Sequence, residues 1–351
     1  MRSEDILRCF SLSKAKRPAV LRQLFNKKIT SSSLYWGLRY DWLKYANLYP
    51  QTESRNFDTK IADLTAKKYL VLAGNNELRL SQKGEDHLRD WNKKHYSITR
   101  PELFADYDMP RWLLGLRLII QVLSETTYNN RHYLVVTNDF TCQTIVKQWF
   151  RRMKDHQEEA GELSGLLAEV LGNRSDLEAT IFANLLVGHD FTGFTLEQVA
   201  EQEEISAEDA KIIFINLAGE LLEQMKHSNS FASFVAGFRL NSLLPESAWK
   251  TYQMFKSGMP PEKIISFRRI RPSTFQEHLI DAAIILSDFP FDNVLSQNSS
   301  RLLDQYYSAN KDLNHWNYHA LAKAYPEISF FDFRLYQIKI TKEIRDGSAE
   351  E

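Results

Sequence analysis

Where the chain carries a readable apolar pattern, its period is mostly that of a helix. Phe57, Ile61 and Leu64 are spaced for one helical face, and Lys67-Lys68 close the last turn. The runs Tyr69 to Leu72 and Leu78 to Leu80 differ: they are short and apolar, and flank Ala73-Gly74-Asn75-Asn76, which supplies residues with easy positive φ. They predict a β-hairpin. Ser81 suits the N-cap of a following helix from Gln82 to Asn92. Upstream, Tyr35, Leu38, Trp42, Tyr45 and Tyr49 repeat at 3-4-3-4 intervals. That spacing predicts one helical stripe packed as core rather than an aromatic platform for single-stranded nucleic acid, with Arg39 and Lys44 off the stripe and able to face phosphates.

Helices are expected in the middle of the chain over Trp112 to Leu123, Thr144 to Met153, Asp155 to Leu171, Asp176 to Val187 and Leu196 to Gln202. His132 to Val136 fits either a short strand or a buried turn. Thr195 to Phe214 has the cadence of a helix-turn-helix, with Ala200 small at the crossing, Ile205 plugging the turn and Ser206 capping the second helix. Its chemistry opposes DNA, because Glu201, Glu203, Glu204, Glu208 and Asp209 would repel phosphates. Packing or protein contact is the expected use of this copy.

The pattern recurs near the C terminus with different chemistry. Ser247 to Ser257 predicts a helix ending at Gly258, Pro260-Pro261 starts a second over Glu262 to Phe267, and a turn containing Arg268, Arg269 and Arg271 leads into a third, Phe275 to Leu286. In a DNA-reading helix-turn-helix the N-terminal residues of the recognition helix face base edges while basic groups hold phosphates. By that register Ser273, Thr274, Gln276 and Glu277 or His278 are candidate base or sugar contacts, and Arg268, Arg269 and Arg271 are candidate phosphate contacts. In the N-terminal part, Arg55, Lys60, Lys67 and Lys68 flank a candidate recognition helix, with Arg79 and Lys83 at the hairpin. Solvated faces would carry the same charges, so both readings stand at this level.

Two of these stretches carry family wording. The helix, hairpin, helix order with LxxKxYL and LSxKGxxxL phrasing over Arg55 to Trp91 resembles bacterial winged-helix domains. TYQMFKSGMPPEKIISFRRIRPSTFQEHLIDAA, within Leu244 to Ile344, resembles the helix-turn-helix module at the C terminus of many RecQ-type helicases. The layout of the whole chain resembles the YpbB-type helix-turn-helix proteins associated with such helicases. That pattern has a small Ala in its second helix, where this chain has Ile265 and Ser266. The resemblance implies a RecQ-like helicase as partner and a setting in DNA repair or recombination.

Charge sharpens the division. The net charge of −1 over 351 residues is a cancellation: residues 1–100 hold 20 Lys and Arg against 10 Asp and Glu, residues 101–235 hold 10 against 21, and residues 236–351 hold 14 of each. A mainly α, multi-module protein is expected, with an N-terminal winged helix-turn-helix over 1–96, an acidic helical middle with a helix-turn-helix-like segment over 97–235, a C-terminal helix-turn-helix module over 236–345 and a tail over 346–351. Thirteen Gly and ten Pro are few for the turns of a large β protein, which agrees with helix.

Catalytic wording is missing. The sequence has no Gly-Lys dipeptide, hence no GxxxxGK[ST] phosphate loop, and no GxGxxG, GxSxG or HExxH. Cys9 and Cys142 are isolated, and His315 and His319, at i and i+4 in HWNYH, lack further ligands, so a structural or surface role is expected for the pair and no cofactor or metal is expected. The N terminus lacks the apolar stretch of a signal peptide, and no apolar run suggests a membrane span, which makes a cytoplasmic location the expectation. The expected function is a non-enzymatic DNA-binding adaptor with no small-molecule substrate. A protein-interaction platform without DNA affinity of its own and a sequence-specific transcription regulator fit the same residues.

Overall fold

The computed structural model describes every residue except 27, 28, 52, 75, 154, 350 and 351, with the main chain alone at 346–349. From the N terminus come α1 (Ser3–Leu7), α2 (Pro18–Phe25), α3 (Ser31–Arg39), α4 (Ser54–Ala66), the strands β1 (Leu70–Gly74) and β2 (Glu77–Leu80), and α5 (Gln82–Asn92). The middle holds α6 (Leu103–Asp106), α7 (Met109–Thr127), α8 (Phe140–Arg152), α9 (His156–Gly172), α10 (Asp176–Asn184), α11 (Leu196–Gln202), α12 (Ala207–His227) and α13 (Ala232–Ala236). The last stretch holds α14 (Glu246–Lys256), α15 (Pro261–Arg268), α16 (Pro272–Ile285), α17 (Phe291–Val294), α18 (Gln297–Ala309), α19 (Tyr318–Ala324) and α20 (Phe330–Ala349). The fold is mainly helical, as the apolar spacing predicts.

The chain forms two compact units that do not follow its order: one joins Met1–Lys16 to Arg55–Leu240, the other joins Arg17–Ser54 to the chain from Asn241 onward. The division expected at 96/97 therefore does not coincide with a boundary between units.

In the first unit β1 and β2 pair antiparallel, Leu70 opposite Leu80 and Leu72 opposite Leu78. The chain ahead of α2 adds to this hairpin, with a bridge from Lys16 to Leu78 and a bond from Leu80 N–H to Ser11 O at 3.1 Å. Of the expected turn residues, Asn76 takes φ of 60° and Asn75 lies outside the described residues. Ser81 caps α5, accepting from Gly84 N–H at 3.0 Å, and Gly84 is required because a Cβ there would lie 2.4 Å from Tyr69 O. α7 and α12 form the interior of the helical part, tied by a bond from Trp112 Nε1 to Ala218 O at 2.9 Å.

The helix-turn-helix cadence of the middle is present as α11 and α12, with Ser206 capping α12. Its second helix is 21 residues long and buries positions on nearly every side, from Ala210 and Ile212 to Met225, so it is a core helix. The acidic row is also not all surface. Asp209 is buried and accepts from Arg2 Nη1, Tyr96 N–H and Ser206 Oγ and pairs with His95 Nδ1, at 2.6 to 2.9 Å. Burial alone would raise its pKa; these partners outweigh it and hold the carboxyl down at about 2. His132 to Val136 is neither strand nor buried turn: it runs irregularly, with Leu134 exposed.

In the second unit the stripe expected over 35–49 is broken. α3 ends at Arg39, Asp41 takes φ of 58°, and a 3-10 turn follows over Leu43–Tyr45. Tyr35, Leu38 and Trp42 are buried as expected, while Tyr45 and Tyr49 are half-buried. Leu34, Tyr35 and Leu38 join one core with Leu279 and Ala283 of α16 and Leu335 and Ile338 of α20. Arg39 does not face outward to phosphates; it donates to Thr341 Oγ1 at 2.8 Å and Asn314 Oδ1 at 2.6 Å, and Lys44 pairs with Asp41. A smaller aromatic core stacks Trp316 on Tyr336, with 5.9 Å between centroids. α20 continues through Ala349, into the stretch expected as a tail. His315 sits in a 3-10 turn and His319 in α19, so the pair does not share a helix, and His315 bonds Asp312 at 2.8 Å. No described helix is long and apolar enough to cross a membrane.

Candidate nucleic-acid interface

The C-terminal motif is built from α14, α15 and α16. Gly258, at φ of 85°, stops α14, and Pro261 at the first position of α15 restarts helix in a new direction. Ile264, fully buried, is the contact α15 makes with the core, and Ile265 packs partly against it while Ser266 is exposed. The core therefore meets a branched side chain at this crossing.

The turn into α16 is made by Arg269, at φ of 52°. A left-handed residue other than Gly is strained by about 1–2 kcal/mol, yet this one carries a guanidinium. α16 opens at Arg271 and Pro272 with no side-chain cap, so the amides of Ser273 and Thr274 are open, while Phe275 N–H bonds Arg271 O at 3.0 Å. Along α16 the exposed positions are confined to its start: Ser273, Gln276 and Glu277 are exposed and Thr274 partly so, whereas Leu279 to Ile284 are buried. The N-terminal turn is the only part of α16 that a groove can reach.

The basic residues separate into two kinds. Arg269 and Arg271 are exposed and have no side-chain bond or ion pair with any described residue. Arg268 is turned inward to α14, donating to Ser247 Oγ at 3.0 Å and also to Ser247 O and Thr251 Oγ1. His278 is turned the same way: its Nδ1 lies 2.7 Å from Thr251 Oγ1. Burial and the nearby Arg268 lower the His278 pKa, so the neutral ring accepts from the Thr251 hydroxyl. Arg268 and His278 thus hold the motif together. Ser247 and Thr251, which receive them, carried only an i, i+4 spacing on α14 as a signal in the sequence.

The N-terminal candidates are less uniform. Arg55, Lys68 and Arg79 are exposed and Lys60 partly so, none with a side-chain bond or ion pair to a described residue. Lys67 pairs with Asp63 at 2.8 Å, and Lys83 donates to Lys67 O at 3.1 Å and lies over the Tyr69 ring. The order α4, β1, β2, α5 is the one expected of a winged helix, whereas α3, the helix that precedes α4, belongs to the other unit.

The arrangement of α14 to α16, two short helices and a turn ahead of a helix exposed at its start, defines a helix-turn-helix. Residues 247–337 match a helix-turn-helix domain family. Over 333 residues the chain is 26% identical to Protein YpbB of Bacillus subtilis (strain 168), covering 92% of this chain and 86% of that protein. No solved structure matches the chain.

Proposed function

We propose that this is a non-enzymatic DNA-binding protein that docks the start of α16 on a duplex. The observation carrying this reading is the pair of unpartnered guanidiniums, Arg269 and Arg271, beside the uncapped amides of Ser273 and Thr274. Amides and dipole at a helix start favour phosphate, and two guanidiniums add release of counterions. Ser273, Thr274 and Gln276 are the side chains placed to meet base or sugar edges. Residues 17–54, which join this unit, bring six Lys and Arg against two Asp and Glu. The unit holding the motif is therefore net positive, although residues 236–351 alone are neutral.

In the same reading α4 with the β1–β2 hairpin is a winged-helix element and a second duplex contact, through Arg55, Lys60, Lys68 and Arg79. The partner, by resemblance to RecQ-associated modules, is a RecQ-like helicase, and the process is DNA repair or recombination. A non-enzymatic role rests on the missing nucleotide-loop and nucleophile motifs in the sequence, which leave any motor activity to the partner.

The test is a salt titration of duplex binding by fluorescence anisotropy. Arg269→Glu with Arg271→Glu weakens binding to all sequences alike and lowers the slope of log K against log salt by about 2. Lys68→Glu with Arg79→Glu does the same if the hairpin element also touches the duplex. Unchanged affinity and slope in both double variants would overturn the assignment. One observation favours a protein-interaction platform instead: Phe267 is 71% and Trp249 42% exposed on this same module. A helicase recovered from nuclease-treated lysate by the wild type and lost with Phe267→Ser, with no duplex binding in either, is the outcome that reading requires.

A further inference from the structure

The first unit holds a cavity of about 570 Å³ that takes no part in the interface described above. Three chain segments supply most of its described lining, and His156 at the start of α9 adds to them. On α7, Leu118, Val122 and Thr126 line it at i, i+4 spacing; on α8, Gln143, Lys147 and Arg151 do the same, with Val146 and Phe150 on the adjoining row. The third wall is the irregular segment after α7, where Arg131, Tyr133 and Val135 line the cavity at every second residue, the alternation of an extended chain. Leu134, between them, is 93% exposed. A buried side chain imposes this course: Gln121 donates from Nε2 to Leu134 O and accepts at Oε1 from Val136 N–H, both at 2.9 Å, in place of a strand partner.

The charge of the lining is one-sided. Among the described residues every ionisable side chain lining it other than the Tyr133 phenol is basic, namely Arg131, Lys147, Arg151 and His156, although residues 101–235 carry 21 acidic residues against 10 Lys and Arg. Arg131, Lys147 and Arg151 have no ion pair or side-chain bond with any described residue, while the His156 ring is 3.3 Å from the buried Glu159 carboxylate. The negative end of α8 accounts for a cation at Arg151, in its last turn, and not for Lys147 or Arg131. The rest of the lining combines apolar surface with the Tyr133 ring, with the Phe150 ring, which stacks on His156 at 3.7 Å between centroids, and with amides. Asn129 has no side-chain partner among the described residues, and Gln143 bonds Thr137 O through Nε2, leaving Oε1 open.

We propose that this cavity binds a nucleotide unit, with the base against the Tyr133 ring and the phosphate taken by Arg131, Lys147 and Arg151. Volume and composition suit a small-molecule site. Aromatic faces stack on any base, and open amides suit the hydrogen-bonding edge of a base better than an acyl chain, which offers none. A free nucleotide and the 5′-phosphorylated end of a single strand present the same chemistry. The site is independent of the duplex contact proposed for α16.

Isothermal titration of the full chain with AMP, ATP, a 5′-phosphorylated tetranucleotide, inorganic phosphate and laurate tests it. A nucleotide or the tetranucleotide binds with a micromolar Kd, and Lys147→Gln with Arg151→Gln, both exposed, weakens it by about tenfold or more. Tyr133→Ala weakens it as well, and the melting temperature of the double variant stays that of the wild type. Tighter binding of ATP marks the free nucleotide as the source, tighter binding of the tetranucleotide the strand end. Arg269→Glu with Arg271→Glu leaves AMP and ATP binding unchanged, which separates this site from the duplex contact. Equal binding of inorganic phosphate, tighter binding of laurate, wild-type affinity in Lys147→Gln/Arg151→Gln, or no heat from any probe at about 1 mM would each overturn the proposal.

Discussion

The Tyr35 hydroxyl donates to Gln337 Oε1 at 2.8 Å, across 302 residues of sequence. Both residues are buried, and the Arg334 guanidinium lies 3.6 Å from the centre of the Tyr35 ring. Burial pushes the phenol pKa up against the opposing influence of Arg334 and Arg39, so the hydroxyl keeps its proton and donates. This bond, with the apolar contacts of Leu34 and Leu38, is what makes α3 part of the C-terminal unit.

Removing that hydroxyl leaves Gln337 Oε1, in a buried site, with only the longer bond from Arg334 Nη1 at 3.4 Å. Tyr35→Phe is expected to lower stability by about 1–2 kcal/mol, and Tyr35→Ala, which also removes the ring from under Arg334, by about 3–5 kcal/mol. Urea unfolding followed by tryptophan fluorescence measures both. A midpoint for Tyr35→Ala equal to the wild type would mean that α3 does not stabilise the C-terminal core.

Arg269 separates stability from binding. Its left-handed backbone favours glycine, so Arg269→Gly is expected to stabilise the fold by about 1 kcal/mol while weakening duplex binding and lowering the salt slope by about 1. Thermal melts and anisotropy on the same preparation read the two effects. A variant that loses stability, or one that binds as the wild type does, contradicts the role given to this residue.

Asp281, on the buried half of α16, is raised to about 6, mainly by burial and in part by the negative charge of Glu277, while a bond from Ser31 Oγ at 3.1 Å lowers it. Its other carboxyl oxygen is buried without a donor among the described residues. The folded pKa lies above the unfolded one, so the folded state holds the extra proton between about pH 4 and pH 6, and stability falls as the pH rises through that window. Asp281→Asn is expected to abolish this slope and to stabilise the protein at pH 7 by about 1–3 kcal/mol. Unfolding free energies from pH 4 to 7 check it, and a slope that survives the substitution refutes it.

Asp209 has the opposite sign. Its folded pKa, about 2, lies below the unfolded value, so its contribution is complete above about pH 4 and is lost as the pH falls toward 2. Asp209→Asn is expected to cost about 3 kcal/mol at pH 7, because Arg2 and His95 lose their common acceptor. In thermal melts the gap between variant and wild type closes in acid. A gap that persists at pH 2 would assign the loss to packing instead of charge.

The local grammar of this chain was legible in its residues. Ser81 and Ser206 cap the helices they were expected to cap, Gly258 and Pro261 end one helix and start the next, and the hairpin sits where two apolar runs flank a turn. The candidate DNA contacts were legible only as a set. Sequence register groups Arg268 and His278 with Arg269, Arg271 and Ser273, because adjacent positions look alike until a neighbouring helix supplies an acceptor. Thr251 and Ser247 supply it, and turn two of the basic side chains into braces.

Caps and turn residues are short-range properties, set within a few bonds of each residue, and the sequence by itself determined them here, whereas the helical spacing read over 35–49 was interrupted at Asp41. The tertiary structure alone decided which helices share a core, since any apolar stripe can pack on any other of matching shape. It assigned α3 to α16 and α20 and made α12 a core helix, although the cadence of its turn is that of a helix-turn-helix. It also redistributed the charge: a motif from an electrically neutral stretch became part of a net positive unit once residues 17–54 packed with it, and three unpartnered cations gathered around one cavity in the most acidic stretch of the chain. Charge acts through space, and only the folded chain sets those distances.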